Sequence, residues 1–292
     1  MKYAFWPGCV AKGACPELYE SMVKLAPRLG IELEELRDGN CTGAGVISEH
    51  DRELADVLNA RNLALAQKTG LPLLNICSTC QGVQSLAQEK LDNDPQYRAR
   101  VNERLAPEGL EYTDGLDVKN FMWALVEDIG LDSLKGAVNR PLSGLRCAPF
   151  YGCYILRPSR ILGFDQHPER GRYLEQIIEA VGAEPVEYEG KGKCCGFPIL
   201  TINKENSLRQ AGTHIAEAQD QGADCLVTPC PLCHLNLDAQ QAAAKSVVHR
   251  DLKLPVLHLP QLVALAIGIA PKELRLHRHT VSVKGVLDKL GL

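Results

Sequence analysis

Adjacent cysteines followed by glycine, Cys194-Cys195-Gly196, cannot both serve a core or close an ordinary local disulfide, so something else must want both sulfurs. Downstream lies a Cys-x2-Cys pair, Cys230-Pro231-Leu232-Cys233, and upstream a lone Cys153 in Tyr151-Gly152-Cys153. Two thiolates at Cys-x2-Cys spacing can face one centre, and clustered thiolate is what zinc and iron-sulfur centres select. The five thiols exceed the four that a tetrahedral zinc or cubane site consumes, which points to a larger centre. The alternative is zinc or a cubane with one thiol left free.

The same pattern occurs earlier with one letter changed. Adding 153 to Cys41, Thr42, Gly43, Cys77 and Cys80 gives Cys194, Cys195, Gly196, Cys230 and Cys233. Thr42 therefore stands where Cys195 stands, and Cys9 is the counterpart of Cys153 at a slightly different offset. The chain reads as two copies of one unit, residues 1–140 and 141–292, each expected to bury its own core. Threonine is a poor ligand beside thiolate, so Cys9, Cys41, Cys77 and Cys80 form a four-sulfur set. Such a set suits a [4Fe-4S] cluster, a [2Fe-2S] cluster or zinc.

The elements that must position these loops alternate. Tyr3–Trp6 reads as a strand delivering Cys9, and Cys15-Pro16 opens a helix with Leu18, Met22 and Leu25 on one face, stopped by Gly30. Ile31–Leu36 alternates like a half-exposed strand and leads to Cys41. Ser48 and Asp51 fit a helix start, with Leu54, Val57, Leu58 and Leu65 as the expected buried face. The apolar run Leu71–Ile76 reads as a buried parallel strand with Cys77 at its carboxyl end, the edge where open α/β sheets place ligands. A polar helix follows near Asp94–Leu105. Val118–Gly130 reads as a closing helix whose second copy is Val256–Gly268. The second half restates the plan: Leu145–Phe150, helix Tyr173–Val181, Val186–Tyr188, helix Asn203–Gln219 and Ala223–Thr228. The expected class is α/β, two pseudo-repeated domains, each a mostly parallel sheet with flanking helices and cluster-binding loops at the strand ends.

Composition excludes some roles. A net charge of −4 with mixed signs lacks the basic excess of a nucleic-acid surface. The longest apolar run, Leu262–Ala270, is half of a membrane span, and the first residues lack the apolar stretch of a signal peptide. A cytoplasmic location is expected, where twelve cysteines point to metal or redox chemistry rather than a disulfide framework.

This arrangement resembles the cysteine-rich CCG domain of the B-type heterodisulfide reductase family, and the resemblance covers nearly the whole chain. The second copy runs Cys153, forty residues, Cys194-Cys195, thirty-four residues, then Cys230-x2-Cys233, each interval one residue outside the family range. The first copy fits once Thr42 is counted as the lost cysteine. The resemblance implies a noncubane [4Fe-4S] cluster, two fused smaller clusters sharing an iron and a sulfide. Its ligands would be Cys153, Cys194, Cys195, Cys230 and Cys233. By the same resemblance the four-cysteine site could retain a modified noncubane cluster. The implied activity is that of one component of a thiol-disulfide oxidoreductase, fed by the family's iron-sulfur (C-type) and flavin (A-type) partner proteins. The incomplete first site is closer to variants in the heterodisulfide reductase-like complexes of sulfur oxidisers, which implies a disulfide or protein-bound sulfur carrier, such as a lipoyl group, as substrate. A non-catalytic electron-relay or scaffold component is the alternative. CCG proteins of the lactate or glycolate oxidase type and of a succinate-quinone reductase type are another, which would need partners because no flavin or nicotinamide fingerprint is present.

The remaining residues read as follows. Cys147 and Cys225 lie in strand-like runs as small buried hydrophobes, and Cys15 is a structural cysteine at a helix start. Cys77-Ser78-Thr79-Cys80 also resembles a thioredoxin-type pair, a reading weakened by its matched second copy. His234 and His258 are candidate proton donors, most such histidines being structural. Arg157 reads as a surface residue and Lys272–His279 as a solvated basic tail.

Overall fold

A computed structural model describes residues 1–45 and 47–292. The first half contains β1 (Lys2–Trp6), α1 (Cys9–Gly13), α2 (Pro16–Leu25), β2 (Glu32–Glu35), α3 (Ile47–His50), α4 (Arg52–Thr69) and β3 (Leu73–Asn75). It continues with α5 (Ser78–Asn93), α6 (Pro95–Leu105), β4 (Val118–Asn120), α7 (Phe121–Ala124) and α8 (Leu131–Ala137). The second half contains β5 (Arg146–Pro149), α9 (Tyr173–Ala180), β6 (Glu184–Pro185), α10 (Lys204–Asp220), β7 (Cys225–Thr228) and α11 (Pro231–Ala239). It ends with α12 (Gln241–Val248), β8 (Val256–His258), α13 (Leu259–Ile267) and α14 (Lys284–Lys289).

Each half is one four-stranded parallel sheet flanked by helices, in the same order: β2-β1-β3-β4 and β6-β5-β7-β8. The central strands β1, β3, β5 and β7 are apolar and buried because helices cover both faces. β2 lies at an edge and alternates exposed glutamates with half-buried positions. Helix α2 starts with Pro16, buries Leu18, Met22 and Leu25, and passes through one tighter turn to Gly30, whose φ of 69° ends it in the left-handed conformation.

The structure departs from the sequence reading in several places. Val118–Asn120 and Val256–His258, expected to be helical, are strands, because β3 and β7 offer each a parallel edge; the helices begin at Phe121 and Leu259. On α4 the buried face is Ala55, Asn59, Ala60, Leu63, Ala64 and Ala66, while Leu54, Val57, Leu58 and Leu65 are not its fully buried positions. Small side chains let α4 lie close to α5, while Val57 and Leu65 pack only partly buried against the core. Asp51, not Ser48, caps α4, accepting from Leu54 N at 2.9 Å. Strand β6 comes two residues before the expected Val186–Tyr188, although Val186 N still donates to Cys147 O at 2.9 Å. Lys272–His279 is not a solvated tail. It folds as two short turns that bury Leu274, Leu276 and His279, because apolar residues interleave with the basic ones.

The cores are also not separate. Buried residues of both halves form continuous clusters, with Phe5, Met22 and Phe121 joined to Leu174, Ile177 and Leu262. Across the junction α2 packs on α13, and α9 packs on α7. These two contacts are one contact made twice, since α2 corresponds to α9 and α13 to α7.

Candidate metal centre

The cysteine loops sit at the carboxyl ends of the strands. Cys230 caps α11 and Cys233 lies in its first turn, directly after β7; Cys77 and Cys80 hold the same positions on α5 after β3. Cys153 follows β5, and Cys194-Cys195 precede α10. Two glycines make the loops possible. Gly196 has φ 88°, and a Cβ there would lie 2.7 Å from Ser207 O; a Cβ on Gly152, φ 72°, would lie 2.9 Å from Cys233 Sγ.

The five sulfurs of the second half form a chain of contacts. Cys194 neighbours both Cys153 and Cys195, and Cys233 neighbours both Cys195 and Cys230. Gly196 N and Phe197 N donate to Cys194 Sγ at 3.4 Å and Cys195 Sγ at 3.5 Å. S–H donation from Cys153 and Cys195 holds the Cys194 thiol down to about 2, and the donor Cys153 is pushed up in return. All five line one cavity of about 440 Å³, with Tyr154, Phe197, Leu200 and Leu232 among its walls.

The first half brings together Cys9, Cys41, Cys77, Cys80 and Thr42 around a smaller cavity of about 210 Å³. Cys9 donates to Cys41 Sγ at 3.5 Å, and Thr42 Oγ1 donates to Cys80 Sγ at 3.5 Å. Cys41, accepting from Cys9 and from Gly43 N, is held down to about 6. The two sites touch: Cys77 neighbours Cys230, Thr79 Oγ1 lies 3.3 Å from Cys230 Sγ, and Ser78 N donates to Pro229 O at 3.2 Å. Phe197 and Leu232 line both cavities.

The donor sets fit metal centres. Among the described residues no lysine or arginine lines the larger cavity, so five clustered thiols there stay a proton-bound network unless positive charge is brought in. Iron or zinc brings that charge and deprotonates thiols outright. The leftover cysteines stand elsewhere. Cys147 and Cys225 face each other across β5 and β7, Sγ to Sγ 3.6 Å, buried; Cys15 is buried against Pro231 O. Arg157 donates to Gly192 O.

Several supporting residues escaped the sequence reading. Asn236 Nδ2 donates to Cys195 O at 2.7 Å, and His214 Nε2 lies 3.0 Å from Cys194 O, so two side chains hold the paired-cysteine backbone. Asn236 follows Cys233 by three residues on α11, one helical turn on, which is a usable signal. His214 and Thr79 carry none, since only the tertiary fold brings them near.

Comparison with known proteins agrees with this architecture. The cysteine-rich CCG domain profile matches residues 3–83 and 147–238. The chain is 38% identical over 290 residues, 99% of each chain, to the 8-methylmenaquinol:fumarate reductase membrane anchor subunit of Wolinella succinogenes. It is 30% identical over 294 residues to the B-type component of the ferredoxin/F(420)H(2)-dependent CoB-CoM heterodisulfide reductase of Methanosarcina acetivorans, covering 99% of this chain and 97% of that one. A crystal structure of a hypothetical protein from Helicobacter pylori shares the fold, with TM-score 0.77 and 20% identity over 97% of this chain; this chain spans about half of that one, 52%. A duplicated parallel-sheet unit, two cysteine loop sets at its strand ends and this likeness along the whole length place the chain in the cysteine-rich CCG domain family, as a member of its B-type heterodisulfide reductase group.

Proposed function

We propose that this chain is the iron-sulfur redox component of a heterodisulfide reductase-like assembly, and that its five-cysteine site makes or breaks a sulfur-sulfur bond in an uncharged substrate. The observation that carries this reading is the 440 Å³ cavity, which joins all five sulfurs to largely apolar walls. Cys153, Cys194, Cys195, Cys230 and Cys233 would hold a noncubane [4Fe-4S] cluster. When bound, such a group supplies single electrons and a thiophilic metal to a disulfide, which a dithiol does not. Phe197, Leu200 and Leu232 would exclude water and take the apolar part of the substrate, while the Ser78, Thr79 and Thr201 hydroxyls would orient its polar end. With no lysine or arginine among the described lining residues and His50 as their one basic side chain, a polyanionic disulfide meets little counter-charge and its desolvation goes largely uncompensated. An amide-linked dithiolane on a protein-bound carrier fits better, which favours the sulfur-oxidising subtype.

Cys9, Cys41, Cys77 and Cys80 would hold a [4Fe-4S] or [2Fe-2S] cluster or zinc. The Cys77–Cys230 contact makes an iron-sulfur centre there a short electron route to the larger site, with the C-type iron-sulfur and A-type flavin partner proteins as the source. A cytoplasmic location belongs to the same reading.

One observation favours a second reading. The cavity reaches Ile202, 83% exposed at its rim, so an apolar mouth opens to the outside. That suits an isoprenoid quinol, and the Wolinella relative is named for menaquinol and for membrane anchoring. Among the described residues no helix is long and apolar enough to cross a membrane, so any such anchoring would be at the surface.

The test uses the chain purified without oxygen, with iron and acid-labile sulfide assays and electron paramagnetic resonance. Dihydrolipoamide should perturb the signal of the oxidised five-cysteine centre, and Cys195→Ser should remove that signal while leaving the metal of the first half. Perturbation by a menaquinol analogue alone would favour the second reading. Indifference to both would reduce the chain to a relay or scaffold.

A further inference from the structure

The two halves differ at one buried place beneath the cysteine loops. In the first half the side chains there are amides that satisfy one another. Asn75 Nδ2 donates to Gln81 Oε1 at 2.7 Å and to Gln84 Oε1 at 3.0 Å, Asn120 Nδ2 donates to Asn75 Oδ1 at 3.0 Å, and Gln81 Nε2 donates to Val118 O at 3.1 Å. At the same offset of 153, Asn75 and Gln81 become Thr228 and His234, and His258 ends β8 as Asn120 ends β4. His279 closes over them from the carboxyl-terminal segment, its ring centroid 4.9 Å from that of His234; His258 stacks on His234 at 3.8 Å.

This second set is not satisfied. Thr228 Oγ1, His234 Nδ1 and both ring nitrogens of His279 are buried without a partner, whereas the amide network leaves over Gln84 Nε2. Each such group costs stability when nothing meets it, so the accumulation points to a missing partner atom. Asp238 lies one turn after His234 on the same face of α11. Its carboxylate accepts from Thr280 N at 2.6 Å and Val281 N at 3.1 Å, which pins the segment carrying His279. Ligand atoms of His234, Asp238 and His279 all lie within 4.8 Å of one another.

We propose that His234, Asp238 and His279 bind a zinc ion, at a third site distinct from the two cysteine sites. Nitrogen donors select a transition metal over magnesium or calcium, and two imidazoles with one carboxylate are a zinc set. Donors bound at about 2.1 Å stand about 3.4 Å apart in a tetrahedron, so rotation of the side chains closes the remaining gap. His258, with Nε2 3.6 Å from Glu17 Oε1, supports the site from behind. The ion ties α11, which carries Cys233 and is capped by Cys230, to the last segment of the chain.

The experiment measures zinc content and zinc K-edge X-ray absorption on the full chain purified without oxygen. The expected result is a zinc shell containing nitrogen and oxygen at about 2.0–2.2 Å, lost in His279→Gln while iron content is unchanged. Zinc that is absent from the wild-type chain, bound by sulfur alone, or held equally by nitrogen and oxygen in His279→Gln would overturn the proposal. Should that variant fail to fold, the wild-type spectrum decides by itself.

Discussion

Thr42 occupies the place of a fifth thiol at the wall of the smaller cavity: it is 1% exposed, and its hydroxyl donates to Cys80 Sγ. The substitution thus removes a soft ligand and keeps a hydrogen bond to a neighbouring sulfur. Thr42→Cys is expected to raise iron and acid-labile sulfide per chain, measured on protein reconstituted without oxygen. Unchanged contents would show that the missing thiol does not set the composition of that site. At this scale the sequence is readable where chemistry is rare: nine cysteines in two matched loop sets, six of them at one repeated offset, have few other uses, and the structure gathers the nine into two adjoining sets. Asn236, His214 and Thr79 were not readable, since each acts through one hydrogen bond made across the fold. The histidines at 234 and 258 read as candidate proton donors, but their meeting with His279 depends on a segment that reads as solvated.

Among the elements, the central strands and helix α2 follow from apolar runs and spacing, whereas β4 and β8 do not. Each has three residues, too few to show alternation, and is followed at once by a helix. Their strand character comes from the neighbours β3 and β7. Helix α4 was misread for a related reason: leucines mark a buried face only where space allows them, and close contact with α5 gives the interior to alanine and asparagine. Helix α13 is buried along its whole length and packs on α2 from the other half. Leu262→Ala should therefore destabilise the protein by about 2–5 kcal/mol. Circular dichroism and the absorbance of the metal centres proposed for the two cysteine sets should still report one coincident transition. Separate transitions would show that the halves melt independently.

For the whole molecule, duplication was visible from the cysteine offset, but not how far the copies depend on each other. We take 1–140 and 141–292 as the repeated units; the packing shows that they share their apolar faces. Residues 1–140 expressed alone should expose the face of α2 that α13 covers, and so be aggregation-prone by light scattering. Co-expression with 141–292 should rescue solubility. A soluble, cooperatively melting fragment would contradict this.

The crossed pairs α2–α13 and α9–α7 form the isologous contact set of a symmetric dimer, made here within one polypeptide. In a true homodimer every substitution appears on both sides of the axis. Fusion lifts that restriction. A threonine for a cysteine at position 42, and histidines for amides at 234 and 258, can each be held in one copy while its twin keeps the other chemistry. Covalent linkage thus turns two identical cysteine pockets into a pair free to specialise, at no loss of the shared interior that keeps them adjacent.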